Sequence, residues 1–247
     1  MAKARLNKRW WVGLAALLVV AVTGRLGFWQ LDRAAQKQAM FDQMASRATE
    51  PEVAWADLDA VRGMGSEDAQ NWHDRKARLN GRWLPEHTVF LDNRPMSGRA
   101  GFYVLTPLLP ATGGEAILVV RGWVPRNVQD RTALPPVDTP DEWVVVTGRL
   151  APPPSKLYEF GGAESGPIRQ NIDLGAYAAE RSLRLWPLVL VQTAPTNPSD
   201  VLARDWPRVN EGLQKHHGYA FQWFGLAALT ALLYVWFQII VPRRARR

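Results

Sequence analysis

The chain contains no cysteine among its 247 residues. That excludes disulfides, thiolate metal sites, thioredoxin-like exchange and covalent c-type haem attachment, so an exported domain of this chain rests on its core alone. Histidine is scarce: only His73, His87, His216 and His217 occur. There is no His-Glu-x-x-His zinc pattern, no Gly-x-Ser-x-Gly nucleophile turn, no P-loop and no dinucleotide fingerprint. The glycine-rich stretch 161–166 opens onto Pro167 and a strand, whereas a phosphate cradle opens onto a helix N-terminus, so it reads as a loop. His73 and His87 fall in polar loop or strand-edge contexts and read as structural. The middle of the chain shows no catalytic constellation, and the protein reads as a non-enzyme.

The middle also lacks an excess of positive charge. The formal net charge is +7, yet nine basic residues (Lys3, Arg5, Lys8, Arg9, Arg25, Arg243, Arg244, Arg246 and Arg247) lie in or outside two terminal apolar segments. The other 21 basic residues share the middle with all 23 acidic ones, leaving it at −2. A nucleic-acid-binding domain concentrates its positive charge in its folded part. Here the charge brackets apolar segments, as the positive-inside rule requires of membrane spans.

Those segments are the dominant feature. Residues 10–26 form one, and 219–241 the other, the latter with 23 residues and no formal charge. About 20 apolar residues cross a bilayer. The second run meets that length, and the first meets it if Arg25 snorkels and the helix continues through Phe28. The stretch 21–24 could pass for a signal-peptidase site. Because 27–31 continues amphipathically into Arg33 and Lys37, the reading favours an uncleaved anchor. The expected layout is a basic N-terminus at 1–9, transmembrane helix 10–31, a β-rich domain at 32–215, transmembrane helix 216–241 and a basic C-terminus at 242–247. Both termini are then cytoplasmic and the domain lies on the opposite side, the periplasm of a bacterium.

Between the spans, helical spacing predicts that the first helix continues over 30–46, with a short helix and loop over 50–65. Alternating or β-rich runs predict strands at 77–84, 87–91, 101–108, 116–124, 143–150, 167–172 and 187–192, with a helix at 174–181. Pro85-Glu86 reads as a hairpin turn between the first two strands. Arg121-Gly122, inside the apolar run 116–124, reads as a β-bulge in a buried strand. The segments 78–85 and 145–152 echo each other, both placing Gly-Arg-apolar late in a strand before proline, which suggests similar local bends rather than duplication. The expected fold class is a membrane protein in which two transmembrane α-helices flank an antiparallel β-rich, barrel- or sandwich-like soluble domain.

On a helix, His216, Ala220, Trp223, Ala227 and Ala231 share one face, while His217, Phe221, Phe224 and Ala228 share a bulkier neighbour. The first span has a matching stripe, Gly13, Ala16, Val20, Gly24 and Gly27. Small faces let spans pack closely or leave room for a flat macrocycle. Aromatic residues around a histidine at a span mouth serve as an interfacial belt. An ionisable group there is equally a functional candidate, and imidazole is a common axial ligand of haem iron.

Four motifs follow in order: Leu26-Gly27-Phe28-Trp29-Gln30-Leu31-x-Arg33-x-x-x-Lys37, Gly101-Phe102-Tyr103-Val104-Leu105-Thr106-Pro107-Leu108, Val119-Val120-Arg121-Gly122-Trp123-Val124-Pro125, and His216-x-Gly218-Tyr219-Ala220-x-Gln222-Trp223-Phe224. Together they resemble the surfeit-locus family of cytochrome c oxidase assembly proteins, bacterial type. Val120 stands where asparagine is usual, and His217 where leucine is usual. The resemblance implies an assembly factor for haem–copper terminal oxidase that binds haem a transiently as a chaperone and assists its insertion into subunit I. The alternative is a structural scaffold for oxidase subunits without direct haem ligation. Implied partners are oxidase subunit I, other oxidase assembly factors, haem a synthesis enzymes and the lipid bilayer, but no nucleic acid. The implied location is the bacterial cytoplasmic (inner) membrane. Carried over by position, the cofactor-binding candidates are His216, Tyr219 and Trp223 on the second span and Trp29, Gln30 and Arg33 on the first. His216 is the candidate ligand of haem iron, with His217 as the fallback, and Arg33 is placed to meet a propionate.

Overall fold

A computed structural model describes residues 2–58, 69–130, 133–157, 166–206 and 213–244. The chain divides into two compact units, one of Met1–Gln43 with Pro207–Arg247 and the other of Met44–Trp206.

In the first unit, α1 (Ala2–Arg47) is continuous over 46 residues, its final turn belonging to the second unit. At 1.5 Å per residue it is about 70 Å long, more than twice the ~30 Å hydrocarbon thickness, so it runs well beyond the span. This is the predicted continuation through 30–46. A second helix crosses back, numbered below as α4 (Leu213–Val235). It passes into a π-helical segment, Trp236–Ile240, and a last turn, α5 (Val241–Arg244). Pro242 has no N–H for the Gln238 carbonyl and its ring crowds that oxygen, which favours the wider turn. The amide of Val241 accordingly donates to Trp236 O.

Both helices have stretches long and apolar enough to span a bilayer. Their outward faces are bare: Trp10 is 75% exposed, Leu17 66%, Phe221 80% and Leu232 67%. A continuous apolar surface of this kind is unsustainable in water and natural in lipid. The protein is a membrane protein with two spans, as expected.

The second unit is β-rich. Its strands are β1 (Lys76–Trp83), β2 (Val89–Leu91), β3 (Gly101–Pro110), β4 (Ala116–Pro125), β5 (Val144–Ala151), β6 (Ile168–Arg169) and β7 (Leu185–Gln192). Two short helices accompany them, α2 (Trp55–Leu58) and α3 (Leu174–Arg181). The strand order β1-β5-β7-β4-β3 closes through a β1–β3 pairing into a five-strand barrel, and β2 and β6 extend the sheet from β3. The ring is antiparallel except for the parallel β4–β7 pair. β2 and β6 are also parallel.

The main core draws on all five ring strands, among them Leu79, Trp83, Leu108, Ile117, Val119, Val146, Leu150 and Leu188. β4 is buried on both faces, since Leu118 and Val120 join a second cluster with Leu105, Val189 and Tyr177 of α3. That double burial explains its uninterrupted apolar run. Asp173 caps α3 by accepting from the Ala176 amide, and Ser182 ends the helix in the left-handed conformation.

The Gly-Arg echo marks the barrel corners. β1 pairs with β5 through Gly81 and with β3 from Gly81 onward; β5 pairs with β1 through Arg149 and with β7 from Gly148 onward. At both glycines two partner strands converge. A Cβ would lie 2.6 Å from Leu109 O at Gly81 and 2.4 Å from Val191 O at Gly148. Only glycine admits that approach, and it lets each strand bend to close the ring.

One expectation is corrected. Pro85-Glu86 makes no hairpin, because β1 and β2 do not pair with each other; β2 lies against β3 and β6, and Pro85–His87 forms a 3-10 turn. Proline sets the turn, but the pairing partner is chosen by the barrel. Of the predicted 50–65 segment, only the part through Leu58 is described, and residues 161–165 of the glycine-rich stretch lie outside the described residues.

Candidate functional site

Within the first unit, α1 and α4 meet along a seam of alternating small and large residues. The less exposed positions of α1 include Gly13, Ala16, Val20, Thr23, Gly27 and Gln30; those of α4 include His216, Ala220, Trp223, Phe224, Ala227, Thr230 and Tyr234. Both predicted faces therefore point inward, with one change: Ala231 is exposed, and the face continues through Thr230 and Tyr234. Three contacts set an antiparallel register. A Cβ at Gly13 would lie 3.0 Å from the Tyr234 hydroxyl, one at Gly27 would lie 2.7 Å from the Phe224 ring, and His216 meets Gln30. From Gly13 to Gln30 the seam rises about 25 Å, with the histidine contact at one end of it.

Gly27 is thus a packing requirement: the Phe224 edge occupies the space a side chain would need. The same ring meets Phe28 edge-to-face at 5.2 Å between centroids. Thr23, buried among apolar neighbours, satisfies its hydroxyl by donating to Val19 O at 2.7 Å. Arg25 is exposed, as a snorkelling residue must be.

The six candidates separate into two groups. Nδ1 of His216 and Oε1 of Gln30 are 2.8 Å apart, and both side chains are half-buried. Trp223 is half-buried two turns further along α4, and Tyr219 is exposed. Trp29 and Arg33 are exposed; the Arg33 guanidinium lies 5.7 Å above the Trp29 ring and donates to Gln36 Oε1. His217 is exposed, so the structure distinguishes the adjacent histidines: His216 is held by the other helix. At the opposite end, Gly13, Ala16, Val20, Ala231, Tyr234 and Gln238 line an open apolar cleft of about 770 Å³.

Among the described residues no three His, Asp or Glu side chains gather in a way that would hold a bare metal ion. A single anchored imidazole suits a metal that arrives with most of its ligands already bound, as haem iron does in its macrocycle. In that respect the donor set fits haem.

The burial of Arg121 and Arg94 in the second unit, like that of Arg169, was not recognised in the sequence. The predicted bulge is present: opposite it, Val104 pairs with Gly122 and Leu105 with Val120, leaving Arg121 as the extra residue. Its fully buried side chain stacks 4.6 Å from the Trp83 ring and donates to Thr139 Oγ1 and Asp138 O, both at 2.6 Å. Burial pulls its pKa down to about 10, opposed by Asp200, so it remains charged at neutral pH. Arg94 is likewise buried and donates to the carbonyls of Ser155 and Gln170. These side chains tie loops to the barrel. For Arg121, an arginine inside an apolar strand was the available signal; Arg94 lies between β2 and β3.

Fold and site together define a membrane protein whose two spans clasp a histidine at one edge, joined to a small β-barrel domain. The sequence model of the SURF1 family matches residues 17–228, and the chain belongs to that family. It is 27% identical over 229 residues to a SURF1-like protein of Rickettsia bellii (strain RML369-C), covering 90% of this chain and 88% of that protein. A SURF1-like protein of Rickettsia felis (strain ATCC VR-1525 / URRWXCal2) is 26% identical over 90% of this chain and 94% of its own length. The cytochrome oxidase assembly protein SHY1 of Saccharomyces cerevisiae (strain ATCC 204508 / S288c) is 25% identical over 144 residues, 58% of this chain and 36% of the yeast protein.

Proposed function

We propose that this protein assists assembly of a haem–copper terminal oxidase, binding haem a transiently through His216 and helping its insertion into subunit I. Membership of the SURF1 family and similarity to the cytochrome oxidase assembly protein SHY1 support the assembly role. The observation that carries the haem reading is the half-buried His216, held between the two spans by Gln30. Haem a, when bound, would supply an iron able to take an imidazole as ligand. The chain contributes an imidazole on α4, aromatic surface at Tyr219, Trp223 and Trp29, and in Arg33 an exposed cation for a propionate.

The charge partition supports a topology with both termini in the cytoplasm and the β-barrel on the periplasmic side of a bacterial inner membrane. In this reading the partners are subunit I, other assembly factors and the enzymes that make haem a. A scaffold role without haem ligation has its own support, the cleft lined by Gly13, Ala16 and Val20, where a further span can approach closely.

The deciding experiment is the absorption spectrum of protein purified from membranes that also synthesise haem a. A Soret band is expected, lost in His216→Ala and kept in His217→Ala. A band unaffected by His216→Ala rejects the ligand assignment. Subunit I that co-purifies with the double histidine variant, in the absence of any Soret band in the wild type, selects the scaffold.

A further inference from the structure

We infer that Gln30 is a positioning residue for His216: it fixes the imidazole in the tautomer with hydrogen on Nδ1 and so presents the Nε2 lone pair for ligation. The inference rests on the haem reading above for its purpose, but not for its geometry. Gln30 Oε1 lies 2.8 Å from His216 Nδ1. With the Gln30 amide turned so that Oε1 faces the ring, Nδ1 carries the hydrogen, because a carboxamide oxygen only accepts. In a neutral imidazole with hydrogen on Nδ1, Nε2 is the bare nitrogen. The opposite tautomer would place a hydrogen on the nitrogen that has to meet the iron.

The arrangement is built into the seam. Gln30 lies one helical turn beyond Gly27, on the same inward face of α1, and His216 lies two turns before Phe224 on α4. The Gly27–Phe224 contact therefore brings the two helices close where the amide must reach the ring. Arg33 donates to Gln36 and covers Trp29, interactions within α1 itself. A group that accepts from the remote N–H of a ligating histidine orients the ring and raises its basicity, and its loss typically lowers metal affinity by about 10- to 100-fold.

The test uses full-length protein in detergent micelles, labelled with 15N-histidine. Long-range 1H–15N correlation reports the tautomer, with the His216 signals assigned by their loss in His216→Asn. The wild type and Gln30→Glu, whose carboxylate also accepts, should show hydrogen on Nδ1, while Gln30→Leu should move the population towards Nε2–H. Nε2–H in the wild type, or an unchanged tautomer in Gln30→Leu, overturns the proposal. Titration with purified haem a should then show affinity at least ~10-fold weaker in Gln30→Leu. Affinity should be restored in Gln30→Glu, with a more negative midpoint potential. Wild-type affinity in Gln30→Leu overturns the positioning role even if His216→Ala abolishes binding. Wild-type binding in His216→Ala instead rejects the haem reading and leaves the tautomer result to stand or fall alone. Circular dichroism and the Gln30→Glu rescue separate positioning from misfolding.

Discussion

The two units of this protein solve opposite problems with the same residue types. In the β-barrel unit, buried polar groups are tied to backbone: Arg121 to Asp138 O, Arg94 to Ser155 O and Gln170 O, and the Tyr177 hydroxyl to His87 O. Those bonds hold loops on the barrel, while Nε of Arg94 and of Arg121 has no partner among the described residues. In the helix unit the half-buried polar pair, His216 with Gln30, joins two helices. Burial of a polar group is thus a poor sign of function by itself. What matters is what the group ties together, loop to barrel in one unit and span to span in the other.

Glycine draws the same contrast. Gly81 and Gly148 let strands converge on backbone oxygens, whereas Gly27 admits an aromatic edge from the other helix. The first use shapes a sheet, the second sets the distance between spans.

The comparison can be broken from either side. The largest effect on stability is expected from Arg121→Ala, which removes both hydrogen bonds and the stack on Trp83 and should cost about 3 kcal/mol or more in denaturant unfolding of the β unit. Lysine should not rescue it, lacking the planar fork. The His216 imidazole resonance should stay unchanged, and a shift there would show that the units are not separable. Gly27→Leu is the converse. It collides with Phe224, should cost roughly 1–3 kcal/mol in the helix pair, and should disrupt the His216–Gln30 bond while leaving the barrel's unfolding midpoint alone. Asp173→Ala, which removes the N-cap of α3, should destabilise the β unit by about 1 kcal/mol, with Asp173→Asn close to wild type.

The smallest effect is one of pH. Burial holds the His73 pKa below its ordinary 6.5, partly offset by Asp74. The unfolded chain therefore binds that proton more readily. The stabilising contribution is full above about pH 6.5 and declines as pH falls through the lowered folded value. Denaturant midpoints of wild type and His73→Gln should diverge in that window and converge above it. Parallel profiles would assign the dependence to another group.

Much of the helix unit was legible because helical periodicity is local: the stripe Gly13, Ala16, Val20 and Gly27 follows from spacing alone, and the structure turns it inward. The α3 boundaries, Leu174–Arg181, were equally readable, whereas its Asp173 cap and the burial of Tyr177 emerged only in the structure. The bulge at Arg121 was visible as a charge breaking an apolar strand, but not the direction of its side chain. The Pro85-Glu86 hairpin misled because a turn signal names the bend and not the strand that pairs afterwards.

By itself the amino-acid order determined the two spans, the charge asymmetry around them, the β-rich character of the middle and the four family motifs. These are sums over neighbours in the chain. Tertiary structure alone decided that β4 and β7 run parallel, that Gly81 and Gly148 turn the barrel's corners, and that His216 meets Gln30 rather than standing free. Each joins residues far apart in the chain, 186 positions in the last case. Such pairings depend on which surfaces fit together once the elements exist, and no local pattern encodes that fit.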